Sequence, residues 1–190
     1  MPSRPKPKFE NRQNELIIAR DGRQIWNSRS VAVLMILAAS HKRDLYFVIE
    51  KRGNNPSMDQ QGKWCLPCGY LDWDESCPDA IRRELWEEIG IDLPALAKKY
   101  RLVDSVEHID QPWLVGSNPE KPRQNVSLRY TRMIHLLSGQ RLPRLIANND
   151  CEPNEVADGV WMNIKNIAEY DFAFNHDQII KQFVHLFHGD

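Results

Sequence analysis

The stretch GYLDWDESCPDAIRRELWEEIGI, residues 69–91, decides how this chain is read. Seven acidic side chains crowd it, against only Arg82 and Arg83. Ser76 followed by Asp79 has the form of a capping box, and Gly90 sits where a C-terminal cap belongs, so the segment between them is expected to be a helix. At about 100° per residue, Glu84, Glu87 and Glu88 fall on one arc of that helix and are expected at the edge of its buried face. Ile81, Leu85 and Ile89 line the neighbouring arc and would pack on a sheet. Like charges three or four residues apart oppose helix formation by a few tenths of a kcal/mol each. Arg83, four residues before Glu87, is within reach of an ion pair, but one arginine cannot balance three carboxylates.

Working outward, NELIIARDGRQIWNSR reads as a hairpin turning at Asp21-Gly22. VAVLMILAA, residues 31–39, is apolar on both faces and of strand length, which implies a buried central strand. LYFVIEKR follows as another strand. Residues 53–62 form a polar loop, and Trp64 to Leu71 is extended. Beyond the acidic helix, a short helix is expected around residues 95–100 and a strand over 102–109. Three prolines make 110–124 read as a long exposed loop, and strands over 125–137 and 156–164 come next. DQIIKQFVHLF, residues 177–187, has helical spacing. Strands that precede, separate and follow two main helices imply an α/β layer fold in one domain, residues 13–190, behind a flexible basic, proline-rich arm, residues 1–12.

Composition removes several functions. The formal net charge of −1 offers no global attraction to DNA or to an anionic membrane. The longest apolar run is too short to span a bilayer. The N-terminus is polar and carries no signal-peptide pattern, so a cytoplasmic protein with reduced thiols is expected. Cys65-Leu-Pro-Cys68 has the spacing of half a zinc site or of a redox pair. No second C-x-x-C follows, and two buried or half-buried thiols are the expectation. Neither Cys68 nor Cys151 has an evident histidine partner for nucleophilic catalysis.

A divalent cation explains the acidic helix. Mg²⁺ takes oxygen ligands, commonly a few carboxylates plus substrate phosphates, and would remove the repulsion. An ordinary solvated helix face is the plain alternative, and the surrounding pattern decides against it. Gly69, Glu75, Arg83, Glu84, Leu85, Glu87, Glu88, Gly90 and Ile91 together resemble the Nudix hydrolase box, G-x5-E-x7-R-E-U-x-E-E-x-G-U, with U a bulky aliphatic residue. Seven fixed identities at roughly one in fifteen each agree by chance at about 10⁻⁸ per start position. Trp64-Cys65-Leu66-Pro67 stands where the family often has W-x-L-P-G-G, with Cys68 in place of the first of those glycines.

The resemblance implies an α/β/α sandwich around a mixed sheet. It implies hydrolysis of a nucleoside diphosphate linked to a group X, with Mg²⁺ or Mn²⁺ held by Glu84, Glu87, Glu88 and Gly69. Arg83 would orient a glutamate, and Glu75 would support the loop. For the general base it points first to Glu88 and then to Glu152 or Glu155, which otherwise read as a solvated acidic loop.

The resemblance implies a nucleotide-type small molecule as substrate, with ADP-ribose or a nucleotide sugar preferred as its class. Nucleoside triphosphate cleansing and a non-catalytic ligand sensor are the alternatives. Gln111-Pro112-Trp113 resembles part of the S-Q-P-W-P motif of NADH diphosphatases but departs from it directly afterwards. DFAFNHDQII, residues 171–180, resembles a segment of ADP-ribose-type Nudix proteins, with a capped helix start around His176 as the plain reading. Trp26 and Trp113 are candidates to stack a base, and Arg29, Arg52 and Arg129 to meet phosphate. The N-terminal hairpin is a candidate edge for a homodimer.

Overall fold

The structure is a computed structural model and describes residues 15–27, 31–56, 58–72, 74–102, 111–118, 125–147 and 153–188. The basic arm, Arg29, Cys151, Glu152 and most of the expected 102–109 strand lie outside these residues. The strands are β1 (Glu15–Ile18), β2 (Gln24–Asn27), β3 (Val31–His41), β4 (Asp44–Arg52), β5 (Trp64–Cys65), β6 (Cys68–Tyr70), β7 (Arg101–Leu102), β8 (Leu114–Asn118), β9 (Asn125–His135) and β10 (Val156–Asn163). The helices are α1 (Cys77–Ile89), α2 (Leu93–Lys99) and α3 (His176–His188), with a 3-10 turn over Ile164–Glu169.

β3 is the spine of the sheet. Its order is β10-β4-β3-β9-β7, with β5 on β4, β6 on β3 and β8 on β9. β3 runs antiparallel to β4 and β6 but parallel to β9, so the sheet is mixed. Successive side chains of a strand point to opposite faces. Val33, Met35 and Leu37 accordingly join Ile81, Leu85 and Ile89 of α1 in one core. Leu34, Ile36 and Ala38 join Ile179, Ile180 and Phe183 of α3 in the other. Helices on both faces make the expected α/β/α sandwich, and the doubly apolar reading of residues 31–39 follows from it.

Helix α1 starts and stops where its caps require. Ser76 has extended backbone and accepts from Asp79 N–H, a proline sits in the first turn, and Gly90 closes the helix at φ 68°. That left-handed conformation is open to glycine at little cost. β1 and β2 form their own two-stranded sheet, turning at Gly22 (φ 80°), with Leu16, Ile17 and Ile18 exposed.

One expectation fails. Residues 114–118 are not loop but strand β8, paired antiparallel with β9 in the register Leu114↔Arg129. Pro112 precedes this strand rather than breaking it, because a proline costs a ladder bond only within the paired run. Replacing Gly90 with Ala should cost about 1 kcal/mol, as a lowered midpoint in urea unfolding with unchanged slope, while activity is retained.

Candidate active site

Arg83 is only 4% exposed, and each of its five N–H donors has an acceptor. Nε donates to Glu75 Oε1 at 2.8 Å, and one terminal nitrogen donates to Glu75 Oε2 at 3.1 Å and to the Tyr70 carbonyl at 3.0 Å. The other donates to Glu84 Oε1 at 2.7 Å and to Glu87 Oε2 at 3.2 Å. Burial alone would weaken the guanidinium's hold on its proton. The Glu75 hydrogen bonds and the charges of Glu84, Glu75 and Glu87 outweigh that and raise its pKa.

The three glutamates of the arc are buried rather than set at its edge: Glu84 and Glu87 are 7% exposed and Glu88 is 2%. Burial pushes the Glu84 carboxyl up to about 8, against the pull of Arg83 and with the help of Glu155 and Glu87. Glu88 is also held well above the usual range, first by burial and then by the charges of Glu50 and Glu84. Its Oε2 accepts the Cys68 N–H at 3.0 Å, which ties the helix to β6.

Two glycines let the chain close around this cluster. A Cβ on Gly69 would stand 1.9 Å from Glu84 Oε1, so only glycine admits the carboxylate there. A Cβ on Gly53 would meet the Asn154 carbonyl at 1.9 Å, and Gly53 N–H donates to the Glu155 carbonyl at 2.6 Å. That contact brings the start of β10 against the end of β4. Glu155 thereby comes close enough to raise Glu50, Glu84 and Glu88 together.

Glu50 was not anticipated. It lies in β4, 1% exposed, with Oε1 accepting the Cys65 thiol at 3.3 Å and Glu88 as its acidic neighbour. Its only signal in the sequence is an acid directly after a run of buried apolar residues. Cys65 is buried and Cys68 half-buried, as expected. His176 Nδ1 accepts the Leu66 N–H at 3.0 Å, and burial, then the charges of Arg129 and Arg52, hold the ring's pKa down to about 3.

The candidate substrate residues divide. Arg52 lies over the Phe174 ring at 4.9 Å and donates to the Asp59 carbonyl. Arg129 is half-buried, and its Nε has no partner. Arg52, on β4, and Arg129, on β9, both act electrostatically on His176. Trp113 packs edge-on against Phe183 of the second core at 5.6 Å, so much of its ring is committed to packing. A surface concavity of ≈ 440 Å³ at His41, Lys42 and His135 lies at the far end of β3 and contains none of the carboxylates.

Buried carboxylates gathered by a single arginine leave excess negative charge out of water, which is costly unless a cation joins them. The hard oxygen donors of Glu84, Glu87 and Glu88 suit Mg²⁺ or Mn²⁺.

The family model of the NUDIX domain matches residues 28–183. A curated relative, "Nudix hydrolase 19, chloroplastic" of Arabidopsis thaliana, is 31% identical over 77 residues, covering 38% of this chain and only 16% of the relative. The structure resembles the NUDIX domain of Shewanella oneidensis NrtR solved with ADP ribose, with TM-score 0.54, 20% identity and coverage of 84% of this chain and 89% of that one. A C. elegans Ap4A hydrolase gives TM-score 0.59 at 13% identity, covering 85% and 99%. The E. coli dihydroneopterin triphosphate pyrophosphohydrolase gives 0.54 at 18%, covering 83% and 96%. At these identities the structural likenesses establish the fold.

Glu84 supplies a pH test. Between its ordinary value of 4.5 and about 8, the folded chain holds a proton that the unfolded chain has lost. That contribution to stability is complete below the lower value and is lost as pH rises toward the upper one. The thermal midpoint of metal-free protein should therefore fall from about pH 5 to about pH 8. Mg²⁺ should raise it more at the higher pH, as followed by scanning calorimetry.

Proposed function

The chain belongs to the Nudix family, and on that premise we propose that it is a metal-dependent diphosphatase. Membership implies a hydrolase of phosphoric anhydride bonds in nucleoside diphosphate derivatives. The finer reading is cleavage of a nucleoside diphosphate joined to a group X, giving a nucleoside monophosphate and phospho-X. ADP-ribose or a nucleotide sugar is the preferred class. The observation that carries it is the set of buried carboxylates Glu84, Glu87 and Glu88, the first two held by an arginine with every donor engaged and the third by the Cys68 N–H.

Glu84, Glu87, Glu88 and the Gly69 backbone would hold Mg²⁺ or Mn²⁺, which supplies charge neutralisation at the diphosphate and activation of water. The chain's own groups do the rest. Arg83 fixes two of the three carboxylates and is itself fixed by Glu75, a positioning role. Arg52 and Arg129, both near enough to His176 to act on its charge, offer two cationic contacts to the anionic substrate. Glu88 and Glu155 are the candidates to accept the proton of attacking water, and the anchoring of Glu88 by Cys68 N–H supports it as the first choice. The intact box favours catalysis over a sensor that only binds.

The deciding assay offers ADP-ribose, nucleotide sugars, diadenosine polyphosphates, NADH, capped RNA and nucleoside triphosphates to wild type with Mg²⁺, with products resolved by ion exchange. Turnover of one class, lost without metal and reduced by about 10³ or more in Glu87→Gln, is expected. Tight metal-independent binding with no turnover would leave the sensor. For the base, Glu88→Gln should lower kcat by about 10²–10⁴ and remove the acidic limb of the pH–rate profile, with Glu155→Gln keeping that limb.

A further inference from the structure

Behind the carboxylate cluster lies a second group of donors, of different chemistry. Cys65 and Cys68 are the ends of the C-x-x-C turn between β5 and β6. The start of α3 lies against this turn because the preceding segment runs beside β5: Trp64 N–H donates to the Asp171 carbonyl and Ala173 N–H to the Trp64 carbonyl, both at 2.8 Å. That places His176 at a turn 110 residues distant in sequence from it. The Sγ atoms of Cys65 and Cys68 and a ring nitrogen of His176 all lie within 4.8 Å of one another.

We propose that Cys65, Cys68 and His176 form a site for a borderline-soft divalent cation, Zn²⁺ by chemistry, with Glu50 as the fourth ligand. Tetrahedral zinc with bonds of about 2.0–2.3 Å sets its donor atoms about 3.5–3.8 Å apart, so Cys65, Cys68 and His176 need to contract by no more than about 1 Å, and Glu50, already against Cys65, would turn in to complete the four. Two sulfurs and an imidazole prefer zinc to the Mg²⁺ suited to the all-oxygen cluster. Glu50 is the independent sign. Its carboxylate is 1% exposed, one oxygen is 3.3 Å from Cys65 Sγ, and Glu88 is its other neighbour, a pairing of two acids that needs a shared proton. A carboxylate buried against a thiol and a second acid is costly as an anion, and a cation between Glu50 and the thiols would offset that cost. Binding would release both thiol protons, and the resulting charge is offset by Arg52, which faces both thiols from its place over Phe174.

A neutral imidazole has one lone pair, and in this structure Leu66 N–H occupies it at Nδ1. Capture of a cation at Nδ1 takes that lone pair directly. Capture at Nε2 moves the ring proton to Nδ1. In either case Leu66 N–H loses its acceptor, which makes this amide a reporter of binding. The site does not depend on the diphosphatase reading, since its ligands are distinct from the Mg²⁺ carboxylates.

The test is a Co²⁺ titration of the reduced, chelator-treated full chain. The expected result is a thiolate-to-cobalt charge-transfer band with intense tetrahedral d–d bands, saturating at one ion per chain. Zn²⁺ should bleach them, and a large excess of Mg²⁺ should leave them unchanged. The Leu66 amide resonance should shift on Zn²⁺ addition. Cys68→Ser, a small change at a half-buried position, should weaken binding by about a hundredfold or more, and His176→Gln should do the same. Cys77→Ser should leave it intact, with circular dichroism confirming the fold of each variant. Absence of the bands in reduced wild type, or their survival in Cys68→Ser, would overturn the proposal. So would isolation of the chain as a Cys65–Cys68 disulfide that reduction does not convert to a metal-binding form.

Discussion

The interaction on which the rest of this molecule depends is the Arg83 guanidinium and its five acceptors. A planar cation with fixed donor directions can hold several carboxylates at set angles, which a lysine could not do. Glu75 and the Tyr70 carbonyl fix the cation from the loop before α1, so loop and helix become one rigid unit. Only then are Glu84 and Glu87 aimed rather than merely near. The acids that crowd the helix would otherwise repel one another into solvent, and α1 would lose the face it packs on β3.

Burial and charge oppose each other throughout the site, and the balance is set locally. Ile81, Leu85 and Ile89 draw α1 onto the sheet by their apolar area. Glu84, Glu87 and Glu88 are carried in with them, because residues adjacent on a helix cannot choose separate environments. The raised protonation of Glu84 and Glu88 is the metal-free chain's answer to that forced burial. Gly69 and Gly53 matter for the same reason: each removes a side chain where backbone and site must nearly touch.

What could be read from the sequence follows the range of the interactions. Helix α1 was legible in full because its caps, its apolar arc and the Arg83–Glu87 pair are all local. The central strand was legible because two-sided burial leaves a continuous apolar run. β8 was not, since Leu114 to Asn118 have no strong strand pattern and become a strand only through pairing with β9. Glu50 escaped notice because its surroundings come from Cys65, Glu88 and Glu155, which no spacing rule joins to it. His176 was noticed as a helix-start residue, but its hydrogen bond to Leu66 depends on tertiary placement. The depth of the glutamates was underestimated: periodicity gives an arc, not what lies above it.

The parallel pairing of β3 with β9 carries a consequence for how the molecule comes into being. Ser40 and His135, bonded across that seam at 2.9 Å, are 95 residues apart, and everything between them, α1 included, lies inside the loop they close. Contacts of such separation form late and slow folding, because chain entropy is lost before the pairing rewards it. While the chain is being synthesised, the acidic helix emerges well before β9 is available. During that interval β3 has an open edge and an apolar face without its permanent neighbour. The nascent chain is therefore most prone to aggregation in the middle of its synthesis, and the negative charge of residues 72–88 then keeps it soluble.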